Sequence, residues 1–313
     1  MASNWFQAVY AQRGIALAFI SSIIWAFNSL GSHISTQTVS TWTLCFVNSL
    51  LYLPSLFFIH WENSDRYRPS DGLLILLAGI SDSASMWFAS LGFSFTSIGN
   101  ASAIIFSKPL FCLILSRIFL KEGLVLHDIG ITVTNFIGVV LISKPRFVFG
   151  YYVTDVDDLE LWGSLAALMS AVSGACVFLC IRKLVEKNVY DPALVMVAKA
   201  VVGYVFYGLL MFLNINSHSH MKTASNWFCV ISTCLAAVIA CVLVYLALKC
   251  ENASVVALVG TAEVALSYVL QVVFMEDKLE PTAIVGAFLI AITPVWSAIR
   301  GMHYVQIGEV NQT

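Results

Sequence analysis

Residues 99–144 decide how this chain folds, and they read GNASAIIFSKPLFCLILSRIFLKEGLVLHDIGITVTNFIGVVLISK. The stretch holds two apolar runs separated by a short polar turn at 121–123. Lys108 and Pro109 interrupt the first run, and the second run carries two glycines eight residues apart. Each run approaches the ~20 residues that a helix needs to cross the hydrocarbon core of a bilayer. The stretch therefore predicts two transmembrane helices joined by a turn.

A weaker copy of this pattern returns near the C-terminus. The Asn-Ala-Ser that begins at Asn100 is matched by another that begins at Asn252. The polar turn is matched by residues 276–278, and the spaced glycines are matched by Gly286 and Pro294, again eight apart. The same features return in the same order, which indicates that the chain is built from two related halves.

The composition places this pattern in a membrane. Of 313 residues, 59% are hydrophobic and 11% are charged, against about 25% charged in ordinary soluble domains, and the mean hydropathy is +0.86. A net charge of -2 offers no polyanion-binding surface, so we expect no nucleic acid partner. The eight cysteines fall mostly within apolar runs, where they are expected to be buried small hydrophobic residues rather than disulfides or metal ligands.

Apolar runs of membrane-spanning length follow one another along the whole chain, without the sustained alternation that marks β-barrel strands. The sequence therefore predicts an all-α integral membrane protein with ten transmembrane helices. The runs lie at about 14–32, 41–60, 72–94, 100–119, 127–143, 161–181, 193–213, 226–248, 253–274 and 281–299.

Basic residues set the expected orientation. With the N-terminus in the cytoplasm, ten of the sixteen lysines and arginines fall in cytoplasmic loops and ends, four fall on the opposite side, and Lys108 and Lys199 lie within predicted spans. Because cytoplasmic loops of membrane proteins are enriched in lysine and arginine, both termini are predicted to be cytoplasmic.

The polar loop at 145–160 divides the chain into two sets of five helices, 14–144 and 161–300. The first helix of each set begins with a similar motif, at Gly14 and at Gly163. Because five is odd, the second set must enter the membrane from the opposite face. The expected architecture is two inverted five-helix repeats, an arrangement that in many transporters encloses a substrate site near the bilayer midplane.

In these features the sequence resembles the drug/metabolite transporter superfamily with two EamA-type units, and within it the solute carrier 35 family, G group. The resemblance covers about residues 14–300. It implies ten helices around a central cavity that the fourth and ninth helices help to line, and transport by alternating access. Such units often carry an arginine in their second helix, which is missing around 45–48; Lys199 in the seventh helix is expected to fill that role. The residues that carry the resemblance are Gly99 to Ala103, Leu120 to Glu122, Gly130 and Gly138 in the first half, and Asn252 to Val256, Glu276 and Gly286 in the second.

Four ionisable residues lie near the middle of predicted spans: Asp82, Lys108, Lys199 and Glu263. A charge at the bilayer centre costs about 2.5 to 3.5 kcal/mol on insertion scales, so four isolated charges would cost roughly 10 to 14 kcal/mol. This is comparable to the whole stability of a domain, ~5 to 15 kcal/mol. The four side chains are therefore expected to pair or to line a water-filled cavity.

Lys108 is the first candidate for substrate binding, because Pro109 can kink its helix and free backbone groups that a cavity must satisfy. We expect Lys108 to bind an anionic group of the substrate, with Lys199 as a second cationic contact. Glu263 is expected either to pair with Lys108 in the empty protein or to take up a proton during turnover. The structural alternative is a permanent salt bridge between Lys108 and Glu263 that fixes the bundle.

The first, third and ninth helices each carry one face of polar or small residues at helical spacing. Such faces either line a cavity or serve as packing surfaces between membrane helices. The faces comprise Ser21, Trp25, Asn28 and Ser32 on the first helix, Gly79, Asp82, Ser85 and Ala89 on the third, and Gly260, Glu263, Ser267 and Gln271 on the ninth. The predicted substrate-binding set is Trp25, Asn28, Asp82, Lys108, Lys199, Glu263, Ser267 and Gln271.

The sequence holds no phosphate-binding loop of the form GxxxxGK[ST], which leaves ATP-driven transport by this chain alone unsupported. It holds no recognisable spacing of a nucleophile and a base. His218 and His220 are typical of a solvated loop rather than of a metal site. We therefore expect no enzyme activity, no cofactor and no bound metal.

The sequence predicts a secondary transporter that moves a small organic solute by alternating access, with an organic anion such as a carboxylate as the expected substrate. Its expected partners are that small molecule, a coupled proton or counter-substrate, and the lipid bilayer. A nucleotide sugar or phosphorylated metabolite is the alternative substrate, and a non-transporting membrane regulator of a partner protein is the alternative function. The resemblance implies a plasma membrane or a secretory-pathway membrane, of the endoplasmic reticulum or Golgi. The coupling ion and the oligomeric state stay open.

Overall fold

In the computed structural model, helices account for nearly all of the described residues. The structure describes residues 13–36, 39–58, 68–96, 98–120, 126–144, 148, 158–213, 224–275, 281–293 and 296. In chain order the helices are α1 Arg13–Thr36, α2 Thr41–Tyr52, α3 Pro69–Phe95, α4 Ile98–Ile105, α5 Lys108–Leu115, α6 Leu126–Ser143, α7 Asp158–Glu186, α8 Pro192–Phe212, α9 Ala224–Cys250, α10 Ala253–Gly260, α11 Ala262–Met275 and α12 Pro281–Thr293. A 3-10 helix, Leu53–Phe58, extends α2, and a π-helical turn, Ser116–Leu120, extends α5.

Local capping chemistry fixes several helix starts. Ser40 and Asp191 precede α2 and α8, and the side chain of each accepts a hydrogen bond from a first-turn backbone N–H, at 3.3 Å and 2.9 Å. Pro69 and Pro192 lie in the first turns of α3 and α8, where a missing N–H leaves no intrahelical bond unmade. These three helices begin within three residues of the predicted positions.

Eight helices in the described part of the chain are long and apolar enough to cross a bilayer. The fourth of these spans consists of α4 together with α5, and the eighth consists of α10 together with α11. Two further apolar helices, Ile129–Ser143 and Pro281–Thr293, fall in the shorter class of 10–17 residues. Because ~20 residues are needed to span the hydrocarbon, the described residues support eight of the ten predicted spans by length.

The two composite spans are broken near their middle. α4 ends at Ile105 and α5 begins at Lys108, with Pro109 as its second residue. α10 ends at Gly260 and α11 begins at Ala262. The interruption that the sequence predicts at Pro109 is therefore confirmed, and the structure adds a second one at Gly260. Short-range backbone hydrogen bonds bridge both breaks, from Ser107 to Ile104 and from Thr261 to Leu258.

Helix packing relates the two halves of the chain. The first helix of each half packs along the third helix of the other, α1 along α9 and α7 along α3. Likewise α6 crosses α12 at Gly138 and Gly286, where a Cβ placed on either glycine would lie 2.8 Å or 2.6 Å from the carbonyl oxygen of the other. Only glycine allows this approach, and the contact is reciprocal, as a two-fold relation between the halves requires.

The largest buried cluster lies at one end of the bundle, which we call the packed end. It is the end at which α1, α3, α8 and α10 begin and α5, α7 and α9 finish. Its members include Ile15, Ile75, Leu184, Val195 and Leu248, each 7% exposed or less. On the outside of the bundle, Phe57, Phe212 and Phe228 are 87%, 85% and 76% exposed, which suits a surface that faces lipid.

Candidate functional site

Two of the four predicted intramembrane charges form an ion pair. Lys199 of α8 lies with its Nζ 2.5 Å from Oδ2 of Asp82 on α3, and Lys199 is 8% exposed. The helices can approach because Gly79 faces the backbone of α8, where an added Cβ would lie 2.9 Å from the carbonyl carbon of Ala198. Asp82 and Lys199 are therefore a closed, buried, neutral unit between the two halves of the chain.

Tyr52, at the end of α2, completes the surroundings of this ion pair. Its side chain is fully buried, its hydroxyl accepts from Lys199 Nζ at 3.4 Å, and the ammonium group lies 4.5 Å from the centre of its ring. The same hydroxyl donates to the carbonyl of Ala237 at 3.3 Å. Sequence reasoning missed Tyr52, because one tyrosine at the end of an apolar run carries no signal of a buried cation nearby.

Lys108 is arranged differently. It is the first residue of α5, and its Nζ lies 4.5 Å from the ring centre of Phe178 on α7, within the range of a cation–π interaction. Its stem passes Gly174, where an added Cβ would lie 3.0 Å from Lys108 Cδ and 3.2 Å from Ser85 Oγ. Among the described residues, no acidic side chain forms an ion pair with Lys108 within 4 Å.

Glu263 lies on the second residue of α11, and its Oε1 accepts a hydrogen bond from Ser29 Oγ of α1 at 3.0 Å. The ammonium group of Lys108 is close enough to influence this carboxyl electrostatically. The two groups nevertheless form no ion pair within 4 Å in the part of the chain that the structure describes. The fixed salt bridge that the sequence leaves open as an alternative is therefore not formed.

Lys108 and Glu263 contact corresponding points on the first helices of the two halves. Aligning Gly14 with Gly163 shifts the first half by 149 residues (163 minus 14), which brings Ser29 onto Phe178 and Trp25 onto Gly174. Each charged side chain therefore lies against the same point on the first helix of the opposite half.

Open space lies beside the break in the ninth span. An added Cβ on Gly260 would meet no atom within 4 Å. Gly260 lies three residues before Glu263, and residues at this spacing share one face of a helix. Aligning the two Asn-Ala-Ser motifs, at Asn100 and Asn252, makes Gly260 the counterpart of Lys108. The first half thus carries a lysine at its helix break, whereas the second half carries a glycine with open space beside it.

The remaining predicted site residues divide between packing and the candidate site. Asn28 donates to the carbonyl of Thr233 on α9 at 2.8 Å, which makes it part of the contact between α1 and α9. Trp25 is half-buried on α1, four residues before Ser29. Ser267 Oγ is buried without a hydrogen-bond partner among the described residues. Gln271 lies within α11, but its side chain is outside what the structure describes.

The structure thus brings Asp82 together with Lys199, and it brings Lys108 near Glu263 without pairing them. α3 connects the two groups, because Ser85 lies three residues after Asp82 and faces Gly174 on α7, as the stem of Lys108 does. Ser29, Gly174 and the ring of Phe178 complete the second group. Among the described residues, no cluster of three or more histidine, cysteine, aspartate or glutamate side chains could hold a metal ion.

Comparison with known proteins identifies the family and the fold. The model of the EamA-like transporter family matches the chain twice, over residues 12–144 and over residues 161–297. A solved crystal structure with 16% sequence identity superimposes with a TM-score of 0.73, over 90% of this chain and 96% of that one. A likeness at this identity establishes a shared fold.

Several similar proteins carry the names of transporters or solute carriers. Solute carrier family 35 member G1 of Mus musculus is 25% identical over 290 residues, which is 90% of this chain and 76% of the relative. The Homo sapiens protein of the same name is 26% identical over 268 residues, 82% of this chain and 70% of the relative. The S-adenosylmethionine uptake transporter of Rickettsia felis is 30% identical over 127 residues, 41% of this chain and 40% of the relative.

Proposed function

The chain belongs to the EamA-like transporter family and is a multi-pass membrane transporter of small solutes, and we propose that its substrate is a small organic anion moved by alternating access. The observation that carries this proposal is the environment of Lys108. A cation at membrane depth is costly when it is unpaired, and Lys108 has only the face of Phe178 as a described partner. An anionic group of the substrate would supply the missing charge.

The helix break strengthens the attraction at this point. α5 begins at Lys108, Pro109 has no N–H, and the N–H of Leu110 already donates to the carbonyl of Ser107 at 2.9 Å. The helix therefore contributes the partial positive charge of its N-terminus beside the ammonium group rather than free donors. Broken membrane helices in other transporters direct their N-termini at anionic groups of substrates in this way. A carboxylate fits both features, because its negative charge is attracted by the ammonium group and by the positive end of the helix dipole.

Lys199 is assigned a supporting role in this proposal. The prediction that it is a second anion contact would require Asp82 to release it from a 2.5 Å ion pair. Breaking a buried pair leaves an uncompensated charge and is strongly unfavourable. We therefore assign the anion to Lys108 and treat Asp82 with Lys199 as the rigid link between α3 and α8.

Glu263 is proposed as the proton site. Lys108 and Glu263 together carry no net charge, so binding of a monoanion would leave one uncompensated negative charge in a region of low dielectric. Uptake of a proton by Glu263 restores neutrality, and the hydroxyl of Ser29 can either donate to the carboxylate or accept from the carboxylic acid. The expected cycle is therefore symport of one monoanion with one proton.

The architecture proposed for transport is ten spans in two inverted five-helix repeats, 14–144 and 161–300, with both termini in the cytoplasm. The double family match and the reciprocal contact of Gly138 with Gly286 support the repeats. The distribution of basic residues supports the orientation. The family resemblance supports a plasma or secretory-pathway membrane, and transport rather than catalysis.

A thermal-shift screen tests the substrate class. Carboxylates, phosphorylated metabolites, nucleotide sugars, amino acids, S-adenosylmethionine and organic cations are tested on the purified protein, on Lys108→Gln and on Lys183→Gln. Lys183 is a matched control because it is a 43% exposed lysine that pairs with Glu186 at a helix end. A ligand that binds only the folded state adds about 2.7 kcal/mol of stability at a hundred times Kd. We expect monocarboxylates to stabilise the wild type and Lys183→Gln but not Lys108→Gln.

Other outcomes would redirect the assignment. Stabilisation by nucleotide sugars or phosphorylated metabolites, lost in Lys108→Gln, would keep the site and change the substrate. Stabilisation of all three proteins by S-adenosylmethionine or by organic cations would overturn the role of Lys108. Uptake into proteoliposomes then tests coupling: an inward proton gradient should drive accumulation in the wild type, whereas Glu263→Gln should retain exchange and lose the response to the gradient.

A further inference from the structure

Within the described residues, the two broken spans meet at one end only. α10 packs along α5 at the packed end, whereas their counterparts α4 and α11 make no comparable contact. Similarly, α7 contacts α9 and α10. The corresponding helix of the first half, α1, makes no comparable contact with α3 or α4 in the described residues. A molecule with two equivalent halves in equivalent positions would have both sets. The structure is therefore one of two alternative states, closed at the packed end.

Polar contacts hold the packed end closed. Ser116 Oγ, at the end of α5, lies 3.1 Å from Ser254 Oγ at the start of α10. Ser116 is 1% exposed and begins the π-helical turn, a distortion that is frequent at functional sites. Arg182 of α7 donates to the carbonyl of Leu248 at 3.3 Å and to Oδ1 of Asn252 at 3.2 Å.

The internal duplication identifies the residues that would close the other end. Aligning the two Asn-Ala-Ser motifs shifts the chain by 152 residues (252 minus 100), which pairs Ser254 with Ser102. The same shift pairs Ser116 with Tyr268 on α11. Both counterparts carry hydroxyl groups, so a hydrogen bond between side chains is chemically available at the corresponding position of the other end.

We propose that Ser102 and Tyr268 hydrogen-bond to each other in the alternate state and close the opposite end, while Ser116 and Ser254 separate. This inference rests on the alternating access proposed above. With the N-terminus in the cytoplasm, the state described here faces outward, and the Ser102 contact belongs to the inward-facing state. The two hydroxyl pairs then act as opposing latches, and their relative strength sets the population of each state.

Cys112 is a native reporter of the packed end. It lies four residues before Ser116 on α5 and is fully buried in this state. Its thiol becomes accessible to a small maleimide only when the packed end opens. Labelling at Cys112, followed by peptide mass spectrometry in detergent without substrate, therefore measures the inward-facing population independently of the remaining cysteines.

Ser254→Ala should raise the rate of Cys112 labelling about two- to tenfold, the shift in population produced by the loss of one hydrogen bond. Ser102→Ala should lower it by a similar factor, because the same kind of substitution then weakens the inward-facing state. Ser94→Ala is the matched control: this serine is exposed on α3 and donates only within its own helix, to Ser90 at 2.8 Å. It should leave the labelling rate unchanged.

Opposite responses distinguish latches from ordinary packing. If Ser102→Ala and Ser254→Ala both raise labelling, the substitutions only loosen the bundle and the proposal is wrong. If either leaves labelling at the wild-type rate while the protein stays folded by gel filtration, that serine is no latch and the proposal is equally wrong. Because no substrate is present, a failure here is separate from a failure of the anion-transport assignment.

Discussion

The membrane interior of this protein holds two groups of opposite charges that are treated in different ways. Asp82 and Lys199 lie 2.5 Å apart, and the fully buried Tyr52 covers the lysine. Lys108 and Glu263 form no ion pair with each other, and each lies instead against a neutral side chain of the opposite half. The first group is complete without a ligand. The second group leaves an ammonium group and a carboxyl group available to bind a substrate anion and a proton.

This difference assigns a structural role to one pair and a binding role to the other, although all four charged residues look alike in the sequence. A buried ion pair contributes to the stability of the fold through the attraction between its charges, and removing one partner costs free energy of folding. Two separated groups contribute little to the stability of the empty protein, but they remain available to a substrate and a proton. The expectation is that substitutions in the first group change stability, and that substitutions in the second group change binding.

Asp82→Asn should give the largest effect, because it leaves Lys199 buried without its partner. The free energy of unfolding is expected to fall by about 3 to 5 kcal/mol. Glu263→Gln should change it by about 1 kcal/mol or less, since Ser29 retains an acceptor. Unfolding of the detergent-purified variants, followed by circular dichroism, makes the measurement.

The double variant Asp82→Asn with Lys199→Met is the control for this prediction. Removing the charge along with its partner should recover most of the lost stability, as replacement of buried ion pairs by apolar residues does elsewhere. Equal stabilities for Asp82→Asn and Glu263→Gln would show that the two groups of charges do not differ as described.

Gly79→Ala should have an intermediate effect on the first group. Its added Cβ meets the backbone of α8 at Ala198, 2.9 Å away, directly before Lys199. Backbone cannot move aside as a side chain can, so a loss of about 1 to 3 kcal/mol is expected. Gly72→Ala on the same helix meets nothing within 4 Å, and it should be neutral or gain up to ~1 kcal/mol of helix propensity. A stable Gly79→Ala would mean that α3 and α8 are not held at this distance.

Gly174→Ala should have the smallest effect on stability and a clear effect on the second group. Its Cβ meets the flexible stem of Lys108 at 3.0 Å and Ser85 Oγ at 3.2 Å. Because these side-chain atoms can shift, the free energy of unfolding should change by about 1 kcal/mol or less. The displaced ammonium group should bind anions severalfold more weakly in the thermal-shift titration. An unchanged anion affinity would argue that the position of Lys108 over Phe178 is unimportant.

Hydropathy and repeated motifs are sufficient to predict most of the helices, the duplication and the break at Pro109. The predicted run at 127–143 agrees with the described helix Leu126–Ser143, and the predicted run at 281–299 lies partly outside the described residues. Helix positions follow from local composition, which the sequence states directly. For this reason the fold could be predicted in more detail than the site.

Pairing within the site could not be predicted from the sequence. Asp82 and Lys199 lie in different halves, and the spacing of residues within one helix says nothing about which residue of another helix it meets. The sequence therefore suggested Lys108 with Glu263 as a pair and named no partner for Asp82. Phe178 carries no signal within an apolar run, whereas Ser29 could have been found, because it lies four residues after Trp25 on the same helical face.

The contact between Asp82 and Lys199 joins residues 117 positions apart (199 minus 82), and Asp82 is synthesised first. At roughly 5 to 20 residues per second, about 6 to 23 seconds pass before Lys199 leaves the ribosome. Throughout that interval α3 carries an acidic side chain whose cation does not yet exist. Until α8 is inserted, the first five helices hold this acid without the lysine that pairs with it in the finished protein, at a cost of about 2.5 to 3.5 kcal/mol. The pair is completed only when α8 joins α3, so we expect truncation after the first half to yield a less stable protein that is retained and degraded.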